Sequence, residues 1–310
     1  MNQSVFGAGF DGRDRVAESR LDLSVDCPEN RRPLAIRSPG TPMTLEILTR
    51  LPDKETGKPP LLFVHGAWLA AWCWDENFLP FFARAGYPAC AVSLRGHGGS
   101  SGSVHWASVS DYVADVAEAV AQLPAAPVLI GHSMGGYVVQ KYLETHDAPG
   151  AVLLASAPPY GMAGAFIDAW RRHPLRWLQA NLSNNTKSLF ATPDLCREFF
   201  FSLATPDEEI VRFMQRANDE SHRALIDLIF PNFVDPGKIR TPLLVLGGEK
   251  DIVFPPRDVL ETARRYNAAA KILPGLPHAM MLDVLWREAA DAIADFLPQA
   301  TGARDVCALN

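Results

Sequence analysis

The chain has 310 residues, of which 48% are hydrophobic and 21% are charged, as in a globular enzyme with a sizeable core. The net charge is −6 and no cluster of lysine and arginine is long, so the composition excludes the basic patch of a nucleic-acid-binding surface. There is no run of about eighteen apolar residues, so we expect no membrane span.

The N-terminal stretch and the cysteines bear on location and cofactors. Residues 1–40 are polar, rich in arginine and interrupted by prolines, and we interpret them as an extension that need not join the core. Their charged residues argue against a secretory signal peptide. The five cysteines are scattered without a C-x-x-C pair, which favours neither a disulfide framework nor a metal site. We therefore expect a cytoplasmic protein without metal or other cofactor, and nothing in the sequence indicates an oligomeric state.

From residue 41 onward, strand-like and helix-like patterns alternate. Seven apolar segments are typical of strands, namely TLEILTR, PPLLFVHG, YPACAVSLRG, APVLIGHS, GAVLLASAPP, TPLLVLGGEKD and AAAKILPGL. Amphipathic stretches such as VSDYVADVAEAVAQL and REAADAIADFL separate several of them. Apolar strands separated by helices predict a doubly wound, mostly parallel α/β sheet that is covered on both faces. We assign residues 41–157 and 237–310 to this core.

One interval, 158–236, interrupts the alternation. It contains no buried-strand pattern, whereas aromatic residues and leucines recur at helical spacing, as in FIDAWRRHPLRWLQANL. Open α/β sheets bind ligands at the carboxyl ends of their strands, so we predict a helical cap over those ends. Its residues Trp170 and Phe213, together with Trp68 in the core, are candidates for an apolar substrate pocket, although aromatic side chains at helical spacing more often pack in a core.

The stretch LIGHSMGGYV contains the strongest candidate for a catalytic residue. Ser133 lies between Gly131 and Gly135 in a G-x-S-x-G pattern. Alone the pattern is weak, because an ordinary Gly-rich turn also produces it. Here a buried strand precedes it and a helix follows, which is the setting of a nucleophilic serine. We therefore predict that Ser133 is a nucleophile.

A serine nucleophile needs a base to remove its proton and an acid to orient that base. In a strand–turn–helix enzyme of this kind the chain order is nucleophile, acid, base. His278 is the only histidine beyond the segment LLVLGGEKD, so we predict that it is the base. Asp251, at the turn that leaves this strand, is the predicted acid, and Glu249 is its nearest competitor.

Acyl transfer also needs hydrogen-bond donors that face the developing oxyanion. The backbone N–H of Met134, directly after the serine, is one candidate. The N–H of Ala67 is the other, because Gly66 permits a turn in the loop that follows LLFVHG. We expect His65 and Trp68 to brace this loop rather than to react.

Together these motifs resemble the α/β-hydrolase superfamily over roughly residues 43–298. The motifs that carry the resemblance are FVHGAW, SLRGHGGS, IGHSMGG, GGEKD and PGLPHAMMLD, in the expected order. The resemblance implies an eight-stranded, mostly parallel sheet with a helical cap after the sixth strand. It also implies the same site residues, namely Ser133, Asp251 and His278 with oxyanion donors on Ala67 and Met134. Relatives that attack with an aspartate, such as haloalkane dehalogenases and epoxide hydrolases, are excluded by the serine.

These residues predict a cofactor-free serine hydrolase that cleaves a small or medium apolar carboxylic ester through an acyl-enzyme. The branch that the chain resembles is that of carboxylesterases and lipases with a cap. A lactonase, a thioesterase, a carbon–carbon bond hydrolase or a cofactor-free perhydrolase would use the same three residues, and these alternatives stay open. Outside enzymes, the alternative is a ligand receptor with the hydrolase fold. We further expect the interval 158–236 to select the substrate and to contribute little to the chemistry.

Overall fold

The computed structural model describes residues 43–176, 178, 185–230 and 232–302, and the predicted extension, 1–40, lies outside them. The described strands are β1 (Ile47–Arg50), β2 (Leu61–Val64), β3 (Ala89–Val92), β4 (Val128–His132), β5 (Ala151–Leu154), β6 (Leu243–Gly248) and β7 (Ala269–Leu273). They form one sheet in the order β1-β3-β2-β4-β5-β6-β7, with β1 antiparallel to β3 and the other pairs parallel. Each of the seven segments predicted from the sequence is a strand, and the eighth strand implied by the resemblance is not among the described residues.

Helices connect most of these strands. Those with both ends described are α1 (Trp72–Asp75), α2 (Phe78–Arg84), α3 (Val109–Ala121), α4 (Met134–Leu143), α5 (Ala163–Arg172), α6 (Pro193–Phe200), α7 (Asp207–Arg216), α8 (His222–Asp227), α9 (Pro256–Tyr266) and α10 (Trp286–Ala300). Short 3₁₀ helices form at Thr186–Phe190 and Pro236–Lys238. The predicted α/β class is therefore confirmed.

The central strands are apolar throughout because each supplies side chains to two cores. In β2, Leu61 and Phe63 join one core, whereas Leu62 and Val64 join the other. Successive side chains of a strand point to opposite faces, so both faces of the sheet are covered. The edge strand β7 differs, because it has a neighbour on one side only and its first three residues, which include Lys271, are exposed.

The strand order brings two loops together at the carboxyl ends of β2 and β4. These strands are direct neighbours, yet the chain continues from β2 to β3 on one side and from β4 to β5 on the other. A crevice forms where such connections diverge, and open α/β sheets bind ligands there. Ala67 follows β2 and Ser133 follows β4, so the topology places both residues at this point.

Residues 158–236, which we name the inserted segment, connect β5 to β6. Its described residues form helices α5 to α8 and no strand, as the spacing of its aromatic residues predicts. The segment contributes side chains to the cores on both faces of the sheet. Phe190 and Phe213 belong to the same core as Phe63, whereas Ala224 and Leu228 belong to the opposite core.

Candidate active site

Ser133 lies on a sharp turn between β4 and α4, with φ 53° and ψ −121°. Non-glycine residues rarely adopt a positive φ, and such strain costs about 1–3 kcal/mol. Backbone hydrogen bonds hold the turn. The Ser133 N–H donates to the Leu154 carbonyl oxygen at 3.1 Å, and the Ser133 carbonyl oxygen accepts from Gly136 at 3.0 Å and from Ala157 at 3.1 Å. The conformation is therefore enforced by the neighbouring strand and the following helix.

The two glycines of the G-x-S-x-G pattern lie where no side chain fits. A Cβ on Gly135 would lie 2.3 Å from the carbonyl oxygen of His65 and 2.5 Å from that of Val64. A Cβ on Gly131 would lie 2.6 Å from the carbonyl oxygen of Gly135. These distances are far below van der Waals contact, so α4 can approach β2 and β4 this closely only without those side chains.

The structure brings Ser133, His278 and Asp251 into one chain of hydrogen bonds. Ser133 Oγ lies 3.0 Å from His278 Nε2, and His278 Nδ1 lies 2.9 Å from Asp251 Oδ2. A carboxylate only accepts, so the neutral imidazole carries its proton on Nδ1 and offers Nε2 as the acceptor for the serine hydroxyl. Asp251 and His278 are buried, and Ser133 borders a cavity.

The two carboxylates near the end of β6 have different surroundings. Asp251 Oδ1 accepts the N–H groups of Val253 at 2.8 Å and Phe254 at 3.0 Å, while its other oxygen faces His278. The Glu249 side chain is 49% exposed, and the Gly275 N–H and Lys250 hold its pKa below the ordinary value. Of the two candidates, Asp251 is the one that contacts His278.

Ala67 and Met134 border the same cavity as the Ser133 hydroxyl. Met134 is the first residue of α4, where N–H groups have no partner within the helix, and Ala67 lies in the loop after β2. No hydrogen bond within the described chain uses the N–H of either residue. Two uncommitted backbone donors beside a serine hydroxyl form an arrangement that can bind an oxyanion.

Two neutral, buried histidines support the loops of the site. His65 Nε2 accepts the Leu94 N–H at 3.0 Å, so its Nδ1 carries the proton and donates to the Gly66 carbonyl oxygen at 2.8 Å. Burial lowers the pKa of His65 to about 3. Burial also lowers the pKa of His132, whose Nε2 lies 3.0 Å from the carbonyl oxygen of His278. Both rings therefore hold loops of the site in place through hydrogen bonds to backbone groups.

An apolar cavity opens beside the Ser133 hydroxyl. It contains about 930 Å³ of empty space, counting its opening to solvent. The core and the inserted segment both contribute to its wall. Large apolar side chains of that wall are Trp68, Phe166, Phe190, Phe199, Leu228 and Phe254. The lining therefore favours an apolar ligand.

Of the three aromatic residues predicted to line a pocket, Trp68 lies in the wall of the cavity. The structure places the other two outside it. In α5, Ala169 faces the cavity, and Trp170, about 100° further round the helix, is 53% exposed to solvent. Phe213 is buried in the layer next to the wall, where its ring packs against Phe200 with centroids 5.4 Å apart. The sequence pattern identified apolar residues here but not the direction in which they point.

A model of the alpha/beta hydrolase family matches residues 61–296. The chain belongs to this family. The hydrolase is 29% identical over 248 residues to a non-heme haloperoxidase of Rhodococcus erythropolis, an alignment that covers 71% of this chain and 86% of the relative. It is 28% identical over 240 residues to a bifunctional esterase/perhydrolase of Acinetobacter calcoaceticus, again over 71% of this chain and 86% of the relative.

Solved structures show the same fold. A bromoperoxidase from Bacillus anthracis superposes with a TM-score of 0.65 at 19% identity, over 83% of this chain and 96% of that chain. An esterase from Exiguobacterium antarcticum superposes with a TM-score of 0.63 at 18% identity, over 83% of this hydrolase and 96% of that chain. At these identities the likeness concerns the fold alone.

Three further observations concern membranes, metals and thiols. Within the described ranges, no helix has the length and the apolar composition needed to cross a bilayer. The same residues contain no group of three or more His, Cys, Asp or Glu side chains that could hold a metal ion. The cysteines in this part of the hydrolase, Cys73, Cys90 and Cys196, are free and buried.

One polar cluster next to the site was not predicted from the sequence. Glu220, in the inserted segment, is buried against His97 and Tyr112 of the core. These partners lie 123 and 108 residues earlier in the chain. No local spacing could have indicated the cluster, although His97 belongs to the quoted motif SLRGHGGS.

Proposed function

We propose that this hydrolase cleaves a carboxylic ester of a small or medium apolar substrate through an acyl-enzyme. The observation that carries the proposal is the chain of hydrogen bonds from Ser133 through His278 to Asp251, which begins at the wall of an apolar cavity. A nucleophile, a base and an orienting acid in hydrogen-bond contact are the parts that acyl transfer needs.

The reaction has two halves. Ser133 Oγ attacks the ester carbonyl carbon while His278 Nε2 takes the hydroxyl proton. The tetrahedral adduct then collapses, the alcohol leaves with the proton from His278, and the acyl group stays on Ser133. Water attacks the acyl-enzyme with His278 again as base, which releases the acid and restores the serine hydroxyl. Asp251 keeps the proton on Nδ1 and stabilises the imidazolium in both halves.

The oxyanion that forms in each half is bound by the N–H groups of Ala67 and Met134. Donors that are already in place act most strongly where water is excluded, and losing one of them costs about 10²–10³ in kcat. The apolar wall of the cavity excludes water and holds the apolar part of the ester. The substrate-binding wall and the reacting groups therefore lie together at the Ser133 hydroxyl.

Perhydrolysis is the second candidate, because one relative is named as an esterase and perhydrolase and another as a non-heme haloperoxidase. In that reaction hydrogen peroxide replaces water in the second half and the product is a peracid. The acyl-enzyme and the three residues are the same, so the nucleophile in the second half distinguishes the two activities.

A substrate series tests the proposal. We expect kcat/KM to be highest for p-nitrophenyl esters of short or medium chain, and lower for a thioester and a lactone of matched size. The measurement is initial rates on the purified full chain, repeated with hydrogen peroxide. A preference for the thioester or the lactone would contradict the ester assignment. An acyl-enzyme that forms more peracid than acid while hydrogen peroxide is far less concentrated than water would favour the perhydrolase.

A further inference from the structure

Trp68 follows Ala67 directly in the loop after β2, which we name the oxyanion loop and define as residues 65–69. Its φ is 64°, in the left-handed region that a bulky residue rarely adopts. Such a conformation is strained and persists only where the surroundings enforce it. The contacts that enforce it therefore determine the path of the oxyanion loop.

The inserted segment binds every polar group of Trp68. The Trp68 N–H donates to Glu220 Oε2 at 3.3 Å, and its carbonyl oxygen accepts the Asn218 N–H at 2.8 Å. The indole N–H donates to Thr186 Oγ1 at 2.9 Å. All three partners come from one segment that lies more than a hundred residues later in the chain, so this segment holds the strained residue beside Ala67.

Glu220 is itself fixed from several sides. Besides Trp68, its carboxylate accepts Tyr112 Oη–H at 2.7 Å, the Ser221 N–H at 2.7 Å and His97 Nε2–H at 3.1 Å. The residue is 2% exposed. A carboxylate is stable in such a place only when charge and hydrogen bonds compensate for lost hydration, and four donors do so here.

His97 supplies the positive charge. Its Nδ1 faces the carbonyl oxygen of Arg95 at 3.0 Å and its Nε2 faces the carboxylate of Glu220. A carbonyl oxygen and a carboxylate both accept hydrogen bonds, so this arrangement favours a proton on each ring nitrogen and a positive charge on the ring. Burial opposes this charge, but Glu220, together with backbone hydrogen bonds to Arg95 and Leu94, more than offsets burial and raises the pKa of His97. His97 and the other donors likewise lower the pKa of Glu220 against the effect of burial.

We propose that Glu220 is a positioning residue for the oxyanion donor on Ala67, so that the inserted segment takes part in the chemistry as well as in substrate choice. The inference rests on the proposed function, because it assigns the oxyanion to the Ala67 N–H. It departs from the expectation that residues 158–236 contribute little to the chemistry. Glu220 acts through the backbone of Trp68 and does not touch the substrate.

The test replaces Glu220 with Gln, which keeps the shape and removes the charge. We expect kcat for p-nitrophenyl acetate to fall about tenfold to a hundredfold, in line with a displaced oxyanion donor, while KM changes by about twofold or less. The affinity for an aryl trifluoromethyl ketone, which adds to Ser133 and forms an oxyanion, should fall by the same factor. Amide hydrogen exchange in the oxyanion loop should become faster.

Asp227→Asn is the matched control. Asp227 also belongs to the inserted segment and reaches the core, but its oxygens accept the Val109 N–H at 3.1 Å and Arg223 at 3.0 Å. We expect its loss to lower stability while the affinity for the ketone and the exchange of the oxyanion loop stay within about twofold of the parent. Thr186→Val, which removes the partner of the Trp68 indole and keeps the charge of Glu220, should give a smaller fall in kcat of the same kind.

Two results would overturn the inference. One is a folded Glu220→Gln protein that binds the ketone as tightly as the parent. The other is an equal loss in Asp227→Asn. If Glu220→Gln does not fold, Thr186→Val is judged by the same criterion, and unchanged affinity for the ketone overturns the inference. Failure of the proposed function can be distinguished from failure of this inference. In that case the unaltered chain would neither hydrolyse the acetate nor form the ketone adduct.

Discussion

Ser133 and Trp68 both have a positive φ although neither is a glycine. Each directly borders a proposed oxyanion donor, Met134 in one case and Ala67 in the other. Hydrogen bonds from distant parts of the chain hold both conformations, from β5 for Ser133 and from the inserted segment for Trp68. Strain of this kind concentrates at functional sites, because the geometry that chemistry needs is seldom the relaxed one.

The candidate site was predictable from the sequence to the extent that local pattern and chain order determine it. Ser133 could be proposed because a strand, a tight turn and a helix meet at that residue. His278 could be proposed because no other histidine follows the segment LLVLGGEKD. The positions of Trp170 and Phe213 could not be predicted, because helix packing decides which side chains face the cavity. Glu220 was missed because its partners are distant in sequence.

The acid of the proposed triad is tested by two variants. Asp251→Asn should lower kcat about 10⁴-fold without unfolding the protein, because an amide donor in place of the carboxylate favours the wrong tautomer of His278. Glu249→Gln is the control, and its rate should stay within about twofold, since Glu249 is half exposed and binds Gly275 and Lys250. Steady-state ester hydrolysis measures both. A large loss of kcat in Glu249→Gln together with a small loss in Asp251→Asn would show that Glu249, and not Asp251, is the acid.

At the scale of elements, the inserted segment has two roles in different places. Helix α5 lines the cavity with Phe166 and Ala169. The connection between α7 and α8 carries Asn218 and Glu220, which bind the oxyanion loop. A single segment therefore provides part of the apolar wall and supports the proposed donor, so substitutions in it should fall into two kinetic classes.

Two aromatic residues of α5 test the first of these roles. Phe166→Ala should lower kcat/KM for a p-nitrophenyl octanoate about tenfold to a hundredfold, because lost apolar contacts in a pocket are worth about 1–3 kcal/mol. The acetate, whose short acyl group can make fewer such contacts, should lose about threefold or less. Trp170→Ala, on the exposed side of the same helix, is the control, with an expected change of about twofold or less on either ester.

The measurement is kcat/KM over a series of chain lengths for each folded variant. A uniform fall on every ester after Phe166→Ala would show that this residue supports the chemistry rather than the binding of the chain. A larger effect from Trp170→Ala than from Phe166→Ala would contradict the assignment of the cavity wall.

At the scale of the whole molecule, the sequence predicted the doubly wound sheet because a strand buried on both faces must be apolar throughout. β2 shows this most simply, since alternate residues enter opposite cores. The contact between the inserted segment and the oxyanion loop could not be predicted, because it depends on docking between elements far apart in the chain. The cytoplasmic location and the independence from cofactors stay predictions.

The central claim is that Ser133 is the activated nucleophile, and a fluorophosphonate probe tests it most directly. We expect one adduct per folded chain, mapped to Ser133 by peptide mass spectrometry, and none after denaturation. Ser133→Ala should abolish the adduct and lower kcat for ester hydrolysis about 10⁴- to 10⁶-fold, since the three residues act as a unit. Labelling at another residue, or undiminished esterase activity in Ser133→Ala, would contradict the claim.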